Sequence, residues 1–124
     1  MDKLERLKPM NMRKLIKNLP RQDIFVLESI AHLADNQKES DAPIAYDRIM
    51  GDLRDLEKHK GLQARSLAVR NTLNESLQNL CQYRFIRDMT KKGKARVLAL
   101  DVDLEELTNE LKLLGEYNRP IGAK

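Results

Sequence analysis

YRFIRDMTKKGKARVLALD, residues 83–101, is the stretch of sequence that decides the fold. Two short β-prone segments, 83–89 and 95–101, flank a basic tip that contains one glycine, Gly93. Apolar-rich segments on either side of a glycine-bearing turn are typical of a β-hairpin. Six basic residues oppose one acidic residue over 83–100, so the predicted hairpin carries a net charge of +5.

Three helical patterns precede the hairpin. The pattern over 21–35 has a wide apolar stripe, which is typical of a helix at the centre of a core. A polar loop then runs to Pro43, and apolar residues at helical spacing predict a second helix over 44–60. A third helix is predicted over 64–82, with arginine and asparagine on much of its polar surface.

The flanking segments complete the predicted domain organisation. Residues 1–20 form a basic lead-in with one short helix that ends at Pro20, residues 21–114 form the domain, and residues 115–124 form a loose tail. A last helix over 103–114 begins with acidic residues, which the helix dipole favours there, and Asp103 is placed to cap it.

The order of these elements predicts a mostly α fold with a small β-hairpin. Three helices followed by a hairpin form a winged helix-turn-helix, here with an extra N-terminal segment and a C-terminal helix. The alternative is a plain helical bundle in which 83–101 is an irregular connection. The basic tip between two β-prone segments favours the wing, with Phe85, Ile86, Val97, Leu98 and Leu100 closing the core beneath the helices.

Composition excludes several other classes. A chain of 124 residues with 41% hydrophobic residues suits one domain. Five aromatic residues and no tryptophan disfavour a β-sandwich or an aromatic base-stacking platform. One cysteine, Cys81, excludes a disulfide framework. No apolar run reaches the ~20 residues that span a bilayer, so we expect no membrane association and a reducing, intracellular setting.

No group of residues indicates catalysis, a metal or a cofactor. His32 and His59 lie on different predicted helices and lack the spacing of zinc ligands. Cys81 has no evident base, and we expect a small, buried apolar role for it. The carboxylates near Asp101 and Asp103 suit a helix N-terminus better than acid–base chemistry. We therefore expect a protein that is not an enzyme.

Four segments together resemble a known family. They are LPRQDIFVLESIAHL (19–33), YDRIM (46–50), VRNTLNESLQNLCQYRFIRD (69–88) and KGKARVLALDVDLEELTNEL (92–111). Their order and pattern resemble the C-terminal winged helix of the origin-recognition and cell-division-control initiator ATPases, including their silencing relatives, over roughly residues 15–114. The phosphate-binding loop of that family, Gly-x-x-x-x-Gly-Lys-Ser/Thr, does not occur.

The resemblance implies one domain of a longer nuclear protein. In that family the winged helix generally supports DNA binding, whereas in the silencing relatives it is associated with self-association on chromatin. The implied partners are therefore double-stranded DNA or chromatin, other initiator or silencing proteins, and a second copy of the chain. The resemblance does not choose between replication and silencing.

Two sets of basic and amide side chains are candidates for DNA binding. Arginine and asparagine suit base edges and phosphates, and lysine suits phosphates. The candidates on the third helix are Arg65, Arg70, Asn71 and Asn74, and those on the wing are Lys91, Lys92, Lys94 and Arg96. The alternative is a solvated helix face and a solubilising hairpin tip, and Glu75 on the same helix would repel phosphate.

Apolar residues near both ends of the chain are candidates for a partner or dimer interface. Exposed apolar groups on small domains often mark such surfaces. The candidates are Leu4, Leu7, Met10, Leu113 and Tyr117. The alternative for the N-terminal residues is a linker between domains.

Overall fold

A computed structural model describes residues 9–60 and 70–114 of the chain. The described residues are mostly helical, with one small antiparallel sheet. The elements are α1 (Pro9–Asn18), α2 (Arg21–Asp35), β1 (Ile44–Ala45), α3 (Tyr46–Lys60), α4 (Arg70–Gln82), β2 (Ile86–Asp88), β3 (Val97–Leu100) and α5 (Leu104–Leu113). The alternative of a helical bundle with an irregular 83–101 is therefore wrong.

Helix α2 forms the centre of the core, as its wide apolar stripe predicts. It packs against α3, α4 and α5, and Phe25 and Ile30 are almost completely buried. Leu53 on α3 and Leu77 on α4 are fully buried as well. A helix that is apolar over most of its circumference can be stabilised only by neighbours on several sides.

The predicted hairpin is confirmed as β2 and β3, which pair antiparallel with Arg87 opposite Ala99. Both strands are shorter than predicted. Near the tip the Thr90 hydroxyl accepts a hydrogen bond from the Val97 N–H at 3.1 Å, so a side chain replaces part of the backbone ladder. Gly93 has φ 76°, a left-handed conformation that glycine adopts without strain and that closes the turn.

The sheet contains a third strand, which the sequence does not predict. The apolar spacing places residues 44–45 at the start of the second helix, but they form strand β1. The strand order in the sheet is β1-β3-β2. Ile44 pairs with Leu98, and the Tyr46 N–H donates to the Arg96 carbonyl at 3.0 Å. The prediction is wrong because a two-residue strand has no periodicity of its own and forms only beside β3.

The face of the sheet toward the helices closes the core. Phe85, Ile86, Leu98 and Leu100 are buried as predicted. Val97 is only partly buried, because it lies next to the exposed tip of the hairpin. The sheet therefore joins the core through its base, while its tip extends into solvent.

Helices α1 and α5 pack against each other on another side of α2. Met12 and Ile16 of α1 are fully buried, so this helix contributes to the same core as the rest of the domain. Arg13 joins the two helices, because its Nε donates to Glu110 Oε1 at 2.6 Å. Asp103 caps α5 as predicted, since its carboxylate accepts a hydrogen bond from the Glu106 N–H at 3.0 Å.

Candidate nucleic-acid interface

Three elements meet at Tyr46. This residue begins α3 directly after β1, and only 7% of its surface is exposed. The guanidinium of Arg70, at the described start of α4, lies 5.6 Å from the centre of the Tyr46 ring. The guanidinium of Arg96, from the hairpin, lies 5.9 Å from the same centre. Both distances are within the range of attractive cation–π contacts.

Arg96 also connects the hairpin to α4. Its Nη1 donates to Asn74 Oδ1 at 2.9 Å, and its Nε lies 3.7 Å from Asp88 Oδ2. One third of the Arg96 side chain is exposed. We call these contacts of Arg96 with Asn74, Asp88 and Tyr46 the clasp. Two residues predicted to contact DNA, Asn74 and Arg96, thus bind each other, and their hydrogen bond joins the hairpin to α4.

The Asp88 carboxylate is held in its charged form. Its pKa is lowered first by a hydrogen bond with the Thr90 side chain, and desolvation opposes this effect. The Thr90 backbone N–H, which donates to Asp88 Oδ1 at 2.8 Å, and the charge of Arg96 lower the pKa further. Asp88 therefore remains an anion that attracts Arg96 at neutral pH.

The cationic side chains predicted on the wing lie at the exposed tip. Lys91, Lys92 and Lys94 are all exposed, and the Lys94 N–H donates to the Lys91 carbonyl at 2.9 Å across the turn. At the described start of α4, Arg70 and Asn71 are exposed as well. The hydrogen bond between Arg96 and Asn74 joins the hairpin to α4. The lysines of the tip and the polar residues at the start of α4 therefore lie on two elements that contact each other.

A cleft of about 270 Å³ opens between the hairpin and the starts of α3 and α4. Its walls carry two guanidiniums, one amide and one carboxylate. The residues that line it are Ala45, Tyr46, Asp47, Arg70, Asn74, Ala95 and Arg96. Tyr46, Asp47 and Ala95 are not among the residues predicted to bind DNA, and no spacing in the sequence distinguishes them.

Several predicted interface residues lie outside the described part of the chain. Among the candidates for DNA binding this applies to Arg65, and among the candidates for a partner interface to Leu4, Leu7 and Tyr117. Met10 lies in α1, but its side chain is outside the described residues too. Leu113, at the end of α5, is 69% exposed and is the most exposed large hydrophobic residue in the described part.

The residues considered for catalysis have other surroundings. Cys81 is partly buried against the core, and burial is the main cause that raises the pKa of its thiol, followed by the charge of Asp88. The Asp101 N–H donates to the Phe85 carbonyl at 2.9 Å. His32 lies 3.9 Å from Asp52, whose carboxylate accepts a hydrogen bond from the Ser29 hydroxyl. The Ser29 hydroxyl therefore donates to the Asp52 carboxylate rather than to the His32 ring.

Within residues 9–60 and 70–114, no group of three or more histidine, cysteine, aspartate or glutamate side chains could hold a metal ion. No helix in the same ranges is both long and apolar enough to cross a bilayer. Comparison of the chain with protein-family profiles, curated proteins and solved structures found no match.

Proposed function

We propose that this chain is a winged helix-turn-helix module that binds double-stranded DNA through α4 and the hairpin. The order of the elements supports this arrangement, because the β2–β3 hairpin directly follows α2, β1, α3 and α4. In this proposal α3 and α4 form the helix-turn-helix and the hairpin is the wing. The module is not catalytic, and it serves a nuclear, initiator-type chromatin protein.

The observation that carries the proposal is the exposed cationic tip beside the exposed start of α4. Helix α4 itself is neutral, since Arg70 and Glu75 are its charged residues. The added positive charge therefore comes from the hairpin, where Arg96 bonds Asn74 and the three lysines of the tip are exposed. We expect phosphate contacts to supply most of the affinity, with Asn71 and its neighbours contributing less to base recognition.

Salt dependence of DNA binding tests the role of the wing. We would measure the fluorescence anisotropy of a labelled duplex of about 30 base pairs at about 50 and 200 mM salt. Three phosphate contacts add about 2.7 to the slope of log affinity against log salt, or about 40-fold over this range. Combining Lys91→Glu, Lys92→Glu and Lys94→Glu should therefore weaken binding and remove at least this part of the slope.

The matched control reverses three exposed lysines on other elements. Lys38→Glu, Lys58→Glu and Lys112→Glu change the net charge by the same amount, on the α2–β1 loop, on α3 and on α5. We expect this triple variant to keep most of the affinity and of the salt slope. Equal losses of affinity in the two triple variants would show that net charge, and not the position of the wing, determines binding. If the wild-type protein does not bind the duplex, DNA binding is refuted.

The exposed Leu113 favours a second candidate function. We propose as the alternative that the module binds a second copy of itself, or another initiator or silencing protein, through Leu4, Leu7, Met10, Leu113 and Tyr117. Sedimentation equilibrium should then show a mass that rises with concentration. Leu113→Asp, or Leu4→Asp combined with Leu7→Asp, should abolish this dependence of the mass on concentration. A wild-type protein that stays monomeric at high concentration and binds no other protein would contradict this alternative.

A further inference from the structure

We infer that the cleft at Tyr46 holds one phosphodiester group of the DNA backbone. This inference rests on the proposed function, and it names the chemical group that one part of the DNA-binding surface holds. The cleft is separate from the lysine tip, because none of the three tip lysines lines it and its cations are Arg70 of α4 and Arg96, which directly precedes β3. Its volume of about 270 Å³ is large enough for one phosphodiester group.

The walls of the cleft supply hydrogen-bond donors suited to phosphate oxygens. A guanidinium has five N–H groups. In Arg96 only Nη1 and Nε face Asn74 and Asp88, which leaves further N–H groups for a ligand. Arg70 adds a second guanidinium against the same ring. Asn74 directs its amide oxygen at Arg96, and its NH₂ group remains a donor.

The start of α3 adds partial positive charge to the same cleft. The first N–H groups of a helix have no partner within the helix, and the dipole favours an anion there. The residue before α3 is Ala45, whose side chain has no oxygen that could cap the helix. The Tyr46 N–H already donates to the Arg96 carbonyl at 3.0 Å, so the N–H groups available to a ligand are the later ones of the first turn. Together with the two guanidiniums, these N–H groups give the cleft more donors than acceptors.

The charge of the cleft suits an anion. Two arginines and one aspartate, Asp47, line it and give formal charges of +2 and −1. Asp88, whose carboxylate lies 3.7 Å from Arg96 Nε, offsets part of this positive charge. The source of the phosphate follows from the proposed function, in which DNA lies against α4 and the hairpin on either side of the cleft. Inorganic phosphate is therefore the comparison that tests the assignment to a phosphodiester.

Arg70 is the residue to change, because Arg96 also holds the hairpin. Arg70→Gln should lower the salt slope of DNA binding by about 1, the value for one lost phosphate contact, and should weaken binding to unrelated duplexes alike. Arg70→Lys should retain the slope, since it keeps the charge. Arg54→Gln is the matched control, because Arg54 is an exposed arginine of α3 that does not line the cleft and that the proposed function does not place against DNA.

Amide NMR spectra locate the ligand independently of affinity. Duplex DNA should shift the backbone signals of Ala45, Tyr46 and Asp47 in the wild type, and Arg70→Gln should suppress these shifts. Inorganic phosphate at equal phosphate concentration should move the same signals less. Larger shifts with inorganic phosphate than with DNA would overturn the assignment to a phosphodiester.

The outcomes separate this inference from the proposed function. If the wild type binds DNA with a steep salt dependence while Arg70→Gln behaves like Arg54→Gln, the cleft assignment is wrong and DNA binding stands. If the wild type does not bind the duplex at all, the proposed function fails and the cleft assignment fails with it. If Arg70→Gln alone lowers the slope and the shifts, the assignment is supported.

Discussion

Arg96→Met is expected to break the clasp while keeping most of the apolar stem of the side chain. The change removes the hydrogen bond to Asn74 Oδ1 at 2.9 Å, the ionic contact with Asp88 at 3.7 Å and the cation–π contact with Tyr46. The first contact joins the hairpin to α4, the second lies within the hairpin, and the third joins the hairpin to the start of α3. The expected result is a less stable domain whose hairpin is less firmly attached.

The magnitude follows from the three contacts. A hydrogen bond from a charged donor contributes about 1.5–3 kcal/mol, and we take about 1 kcal/mol because one third of the arginine is exposed. Asp88 is 45% exposed, so its ionic contact adds about 0.5 kcal/mol. The cation–π contact adds about 0.5 kcal/mol. The free energy of unfolding should therefore fall by about 2 kcal/mol, which lowers Tm by about 8 °C for a domain of this size.

A double-mutant cycle in urea isolates the central hydrogen bond. We would measure unfolding of the wild type, Arg96→Met, Asn74→Ala and the double variant, with Arg87→Met as the control on the neighbouring strand. The coupling energy between Arg96 and Asn74 should be about 1 kcal/mol. Single-variant losses that add to within about 0.3 kcal/mol would show that the two residues act independently and would refute the clasp.

Three further predictions concern other parts of the molecule. Arg13 lowers the pKa of Glu110, chiefly through the hydrogen bond, so the pair stabilises the fold above the unfolded pKa of about 4.3 and loses this effect as the pH falls through the folded pKa. Glu110→Gln should therefore be less stable at pH 7 and should show a weaker acid dependence in urea denaturation, whereas parallel pH profiles would contradict this reasoning. Asp103→Ala removes the cap on the Glu106 N–H and should cost about 1 kcal/mol in thermal unfolding, with no loss expected for Asp103→Asn. Because burial raises the pKa of the Cys81 thiol, a disulfide reagent at pH 8 should modify it more slowly in the folded than in the urea-unfolded protein, and equal rates would show that the thiol is accessible and normal in pKa.

The candidate site could be predicted only in part. The basic tip of the hairpin is visible in the sequence because like charges there are close neighbours along the chain. The contact between Asn74 and Arg96 joins residues 22 positions apart, and it depends on how the hairpin meets α4. Arg13 and Glu110 are 97 positions apart, and nothing in the sequence around either residue indicates that they form an ion pair.

The helices, the hairpin and the cap of α5 follow from local features of the amino-acid sequence. Apolar spacing, proline and glycine positions and the acidic start of α5 act between residues that are close along the chain, so they can be recognised without a fold. Strand β1, the clasp and the cleft at Tyr46 required the folded chain. Their polar partners come from separate elements, and the free energy of each contact depends on distances that only packing of the core sets.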